Sequence, residues 1–254
     1  MNKNEYFTFG LFPQYKHNNL IVYGKLNVYY DYFLKCASYD ECEFTESGIY
    51  ANWESENDFL EKVKSITHEN NALLIFDEVI TGFRLSSGGA QKYYGVSPDL
   101  CTFAKAMGAG EKIAAVAGKK TIMNILDPSA PSNIYVFQSG TVNDGASALS
   151  STIAALRTYK SFEKQGKYTL LNSKAIMLKK GLIDIFNESN IPCQINQVGS
   201  MLQIFISHNK IDFFKPEKKY NKIIELFYLA LINNNIILSL PTSNHIYLSF
   251  MHTN

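Results

Sequence analysis

The chain has 254 residues, 46% of them hydrophobic and 19% charged, and its 24 basic and 23 acidic residues leave a formal net charge of +1. That length and mixture suit a globular protein of one large or two modest domains. The near-neutral balance gives no electrostatic basis for binding nucleic acid or an anionic membrane surface. Four cysteines with no Cys-x-x-Cys pair and no His at zinc-ligand spacing suit a reduced, cytoplasmic protein without a metal site. No secretory leader is expected, and no run of about 18 or more apolar residues suggests a membrane span.

Residues 1–54 stay unassigned. Their stretch "LIVYGKLNVYYDYFL" is rich in Val, Ile and Tyr but mixes periods. In "ENDFLEKVKSITHENN" the apolar spacing predicts a helix with Phe59, Leu60, Val63 and Ile66 on one face. Asp58 supports its first turn and Asn70 with Asn71 its end. "ALLIF" then reads as a strand buried on both faces, as in a helix-covered parallel sheet, followed by two more, "DLCTFAK" and "KIAAVAG". A helix from Asp144 to Lys160 and a longer one broken or begun near Gly166 come next. "CQINQVGSMLQIFIS" reads as paired short strands, "EKKYNKIIELFYLALINNN" as an amphipathic helix, and "IILSLP" and "HIYLSFMH" as closing strands.

Strands alternating with helices predict an α/β first part with a mostly parallel sheet, and the later pattern predicts a smaller α+β lobe. The expected division is 1–54 unassigned, 55–160 the C-terminal part of a large α/β domain, and 161–254 a small C-terminal domain.

The chemistry centres on Asp77 and Glu78, which end the first buried strand, and on Lys105, which follows the next. Ligands of open α/β sheets bind at the carboxyl ends of strands. Spacing alone favours Asp77 and Glu78 as acids capping a turn or pairing with Arg84. Glu78 is expected in a structural salt bridge, and Arg84 in bracing the loop.

The continuous stretch "LLIFDEVITGFRLSSGGAQKYYGVSPDLCTFAKAMGAG", in which Asp77 and Lys105 stand 28 positions apart, closely resembles the central segment of class III aminotransferases that use pyridoxal 5'-phosphate (PLP). The glutamate-1-semialdehyde 2,1-aminomutase branch is the nearest in pattern. "FQSGTVNDGASALSSTIAAL", "NQVGSMLQIFIS" and "IYLSFMHTN" resemble later family segments more weakly.

The resemblance implies a partial fold-type I PLP-dependent transferase. It implies Lys105 as the catalytic lysine that carries the cofactor as a Schiff base and moves protons. Asp77 would meet the pyridine nitrogen, Val79 would press on the ring face, and Gly140 with Thr141 would bind cofactor phosphate across a homodimer interface. The implied substrate is a small amino or aldehyde compound, and the implied reaction turns glutamate-1-semialdehyde into 5-aminolevulinate, a tetrapyrrole precursor. A class III transaminase acting on another aldehyde or keto acid is the alternative. The family's Ser-Gly-Thr phosphate loop is not found in residues 1–58, so an N-terminally incomplete relative is expected. An active enzyme, a relative with little or no catalysis, and a cofactor-holding regulatory module all stay open.

Overall fold

A computed structural model describes residues 9–13, 20–24, 59–129, 135–138, 145–208, 221–238 and 245–252, the first two segments as backbone strands only. The chain divides into two compact units, with the boundary between Lys164 and Gln165.

The first unit is built on a five-stranded sheet in the order β1 (Phe9–Pro13), β2 (Leu20–Gly24), β3 (Leu74–Asp77), β4 (Leu100–Phe103), β5 (Ala115–Gly118). The two inner ladders, β2 with β3 and β3 with β4, are parallel, and the two outer ones are antiparallel. The α/β class therefore holds with a sheet that is mixed rather than mostly parallel. Its centre is apolar because β3 is: Leu74 and Phe76 are each 1% exposed, and burying side chains of that size contributes roughly 2 kcal/mol apiece. β4 is only partly buried, and every residue of β5 is exposed. The expectation of a third doubly buried strand at "KIAAVAG" is thus corrected. Apolar composition did not reveal that β5 lies at one end of the described sheet.

Helix α1 (Phe59–Glu69) precedes β3 and buries Leu60 and Thr67, with Val63 half-buried between them. Ile66, expected on the same face, is 60% exposed. The buried stripe follows the i, i+3, i+7 spacing from Leu60, and Ile66 falls one residue off it. The chain leaves the helix through Asn71 at φ 53°. Short α2 (Gly89–Tyr94) links β3 to β4, and α3 (Lys120–Met123) follows β5. Helix α4 (Ala146–Lys164) closes the unit. Its expected first residue, Asp144, lies outside the described residues, as does Asp58.

The second unit opens with α5 (Lys167–Glu188). Gly166 separates it from α4 at φ 68°, a left-handed torsion that glycine adopts without the Cβ penalty. The hairpin β6 (Cys193–Val198) and β7 (Met201–Ile206), the helix α6 (Asn221–Asn233) and β8 (His245–Tyr247) complete it, with β7 central in an antiparallel sheet. One face of β7, formed by Leu202, Ile204 and Ile206, clusters with Leu171, Ala175, Phe186, Ile224 and Tyr228. The other face carries a polar row in register, Asn196, Gln203 and His245. Residues 236–238 of "IILSLP" are not strand, and the rest of that segment lies outside the described residues.

Candidate active site

Parallel pairing places the two expected site residues on one sheet edge. Asp77 ends β3 and is in register with Thr102 of β4. Lys105 follows three residues beyond Thr102, just past the end of β4, and so leaves the sheet at the same edge as Asp77. Glu78 extends the ladder by donating its amide to the Thr102 carbonyl at 2.9 Å.

Asp77 is 7% exposed. Its Oδ1 accepts from the Val79 amide at 3.1 Å and from the Thr102 hydroxyl at 3.0 Å. Both of these bonds fall on Oδ1, so Oδ2 keeps acceptor capacity toward a further donor. A buried carboxylate held this way is suited to a cationic, hydrogen-bonded ligand group. Val79 is half-buried and fixes Asp77 through its backbone. Thr102 was not expected at the site, although pairing of the two strands in parallel would have pointed to it.

Glu78 plays a separate part. It is fully buried, and its carboxylate accepts from the Thr81 hydroxyl at 3.0 Å, the Ala90 amide at 2.6 Å, and the Gln91 amide and side chain at 3.0 and 3.2 Å. The donors are neutral, so this is a hydrogen-bonded cage at the start of α2 rather than the expected salt bridge. Burial pushes the carboxyl up, against the pull of those hydrogen bonds. Gly89 makes the cage possible: at φ 72°, a Cβ on it would stand 2.1 Å from Glu78 Oε2.

Lys105 is exposed and opens a short 3-10 turn, Lys105–Gly108, with its own φ at 46°. That left-handed torsion is uncommon for a residue with a side chain. Two hydroxyls from α4 reach the turn: Tyr159 donates to the Ala106 carbonyl at 2.8 Å and Ser151 to the Gly108 carbonyl at 2.9 Å. Neither was legible in the sequence, since each lies more than 40 positions away. The Tyr159 ring stacks on Phe83 at 5.9 Å, and Phe83 packs on Phe103 at 5.4 Å. A cleft of about 560 Å³ beside these rings is lined by Phe83, Gly88, Gln91, Lys92, Gly95, Ser97 and Phe103. Asp77 and Lys105 share the sheet edge but do not line that cleft. Gly140 and Thr141 lie outside the described residues. Among the described residues no cluster of metal-ligating side chains is found, and no helix is long and apolar enough to cross a membrane.

An α/β sheet with an acid ending one parallel strand and a lysine beyond the next has the framework of fold-type I transferases. The class III aminotransferase family model matches residues 44–230, and the chain belongs to that family. Class III aminotransferases depend on PLP. The chain is 36% identical over 199 residues to the glutamate-1-semialdehyde 2,1-aminomutase of Nitrosopumilus maritimus, covering 78% of this chain and 46% of that protein. It is 38% identical to the enzyme of the same name from Caldicellulosiruptor saccharolyticus over 200 residues, 78% of this chain and 45% of that protein. The chain therefore spans about half the length of the curated relatives it matches. An omega-transaminase from Sphaerobacter thermophilus superposes with a TM-score of 0.67 at 25% identity, over 77% of this chain and 44% of that one. A glutamate-1-semialdehyde aminomutase from Pseudomonas aeruginosa shares the fold at 17% identity, with a TM-score of 0.63 over 77% of this chain and 44% of that one.

Proposed function

We propose that this chain is the cofactor-lysine part of a PLP-dependent aminomutase or aminotransferase of the glutamate-1-semialdehyde kind. The observation that carries the proposal is the placing of buried Asp77, with Oδ2 open to a donor, and Lys105 on the carboxyl edge of adjacent parallel strands. Likeness to the two aminomutases supports the substrate, glutamate-1-semialdehyde, and the product, 5-aminolevulinate.

PLP supplies an electron sink for breaking bonds at a carbon next to an amine. Asp77, through Oδ2, would hold a proton on the ring nitrogen, which would strengthen that sink. Val79 would bear on the ring face. Lys105 would hold the cofactor through its amine and, once released, would carry protons between neighbouring carbons. Gly140 and Thr141 would hold the phosphate of the partner subunit's cofactor in a homodimer. The working division is a large-domain part over 55–160 and a small domain over 161–254, in a cytoplasmic protein.

The test adds PLP to the full chain and reduces with borohydride. The Lys105 nitrogen bonds the aldehyde carbon, the oxygen leaves as water, and hydride converts the linkage to a stable secondary amine. Mass spectrometry is expected to find the label on Lys105 and to find at least about tenfold less at equal PLP in Asp77→Asn. An unlabelled Lys105 at saturating PLP ends the proposal. Conversion of glutamate-1-semialdehyde then decides the substrate. A second reading, a transaminase acting on a different aldehyde or keto acid, is favoured by the likeness to the Sphaerobacter omega-transaminase. Amine transfer to a keto acid without 5-aminolevulinate formation would select it, and labelling without either product would mark a cofactor-holding chain with no turnover.

A further inference from the structure

We propose that Tyr159, with Ser151 beside it, is a positioning residue for Lys105: their hydroxyls hold the lysine-bearing turn in a conformation that it does not keep alone. A lysine at φ 46° persists only where its surroundings over-determine it. On its N-terminal side the turn is tied by the ladder, in which Phe103 pairs with Ala115. The turn's own backbone bonds are those of the Met107 amide to the Ala104 carbonyl at 3.0 Å, the Glu111 amide to the Gly108 carbonyl at 3.1 Å and the Ala109 amide to the Ala106 carbonyl, the longest, at 3.3 Å. The Tyr159 hydroxyl reaches that same carbonyl at 2.8 Å, and Ser151 holds the Gly108 carbonyl at 2.9 Å.

The two residues stand about two turns apart on α4, whose buried stripe is Ala148, Thr152 and Ala155. Small side chains there bring the helix close to the turn. The phenol is aimed by its ring, which stacks on Phe83 at an interplanar angle of 17°. Phe83 is itself held at φ 61° and packs on Phe103, two residues before the lysine. Phe103, Phe83, Tyr159 and Ala106 therefore form a chain of contacts around Lys105. Burial pushes the Tyr159 phenol up, against the pull of Arg84.

The chemical consequence rests on the reading of Lys105 as the cofactor lysine, and the test separates the two. It uses the full chain with Tyr159→Phe, which keeps the ring, and Ser151→Ala. Amide hydrogen exchange at Met107 and Ala109, measured without cofactor, reads the turn. Borohydride-trapped PLP on Lys105, divided by that on exposed Lys160 in the same sample and followed against pH, reads the amine. Tyr159→Phe is expected to speed exchange at both amides about tenfold while the β3 amides hold. It is expected to lower the Lys105 to Lys160 ratio about fivefold at its high-pH plateau. The midpoint of that pH profile is expected to stay, because the hydroxyls bond backbone and not the amine. Exchange within twofold of the parent overturns the positioning role whatever the labelling shows. Faster exchange with an unchanged ratio, or a moved midpoint with an unchanged plateau, overturns the link to Lys105. If the β3 amides also speed up, Ser151→Ala decides on the same thresholds. A parent chain with no label on Lys105 ends the cofactor reading instead and leaves exchange to decide the turn.

Discussion

Single residues in this chain carry distinct loads that their types do not announce. Asp77 and Glu78 are adjacent acids, yet one keeps an oxygen open toward a ligand and the other has its carboxylate consumed by four hydrogen bonds. The difference follows from strand alternation, which sends neighbouring side chains to opposite faces. Gly89 shows how tightly the second acid is held. Gly89→Ala adds a Cβ 2.1 Å from Glu78 Oε2 at a φ of 72°. It is expected to cost about 2 kcal/mol or more through clash and left-handed strain. Urea unfolding of parent and variant checks this, and a difference below about 0.5 kcal/mol would show that the cage yields easily.

Elements add effects that depend on pH. Asp99, 3% exposed, joins α1, β3 and the residue after β5: it accepts from His68 at 2.9 Å, the Leu74 amide at 2.7 Å and Lys119 at 2.6 Å. Burial pushes its carboxyl up, but the bonds from Lys119, Leu74 and His68 outweigh that and hold it below its usual range. A depressed folded value stabilises above the unfolded value and loses that contribution as pH falls through the folded one. On β8, burial lowers the His245 imidazole from 6.5 to about 4, so its protonation penalises folding as pH falls across that interval. Glu78 runs the other way, because a raised acid favours folding at low pH and loses that advantage as pH rises above 4.5. Unfolding midpoints measured from pH 7 down to pH 3 are expected to decline in two windows. His245→Gln should flatten the upper one and Asp99→Asn the lower one. Unchanged curves in both variants would refute these assignments.

Packing within the second unit is an element property too. Leu202 is 0% exposed in the core cluster, and Leu202→Ala is expected to cost about 2–5 kcal/mol by cavity formation. A loss under about 1 kcal/mol by urea unfolding would mean that the cluster refills the space. At both scales the sequence was readable where periodicity is strong. It showed β3 and its terminal acid, the helix break at Gly166, and the β6–β7 hairpin. It misjudged Ile66 and β5, because an apolar side chain reports what could be buried and not where the neighbouring element lies.

For the whole molecule, binding of PLP to the folded chain alone must raise its stability by mass action, about 2.7 kcal/mol at a hundred times the dissociation constant. Thermal unfolding with and without PLP is expected to show an upward shift in the parent and a much smaller one in Lys105→Ala. Equal shifts in both would place the cofactor elsewhere. The sequence by itself determined the family, through an unbroken stretch from Leu73 to Gly110 with Asp77 and Lys105 at fixed spacing. Local order is enough for that, because a strand, a turn and a strand follow one another directly in the chain. Only the tertiary structure decided which acid keeps an oxygen for a ligand, that Glu78 caps α2 without a cation, and that a tyrosine 54 positions on meets the lysine's turn. Those outcomes depend on strand register and helix approach, which arise from packing between segments distant in sequence and leave no periodic trace in either one.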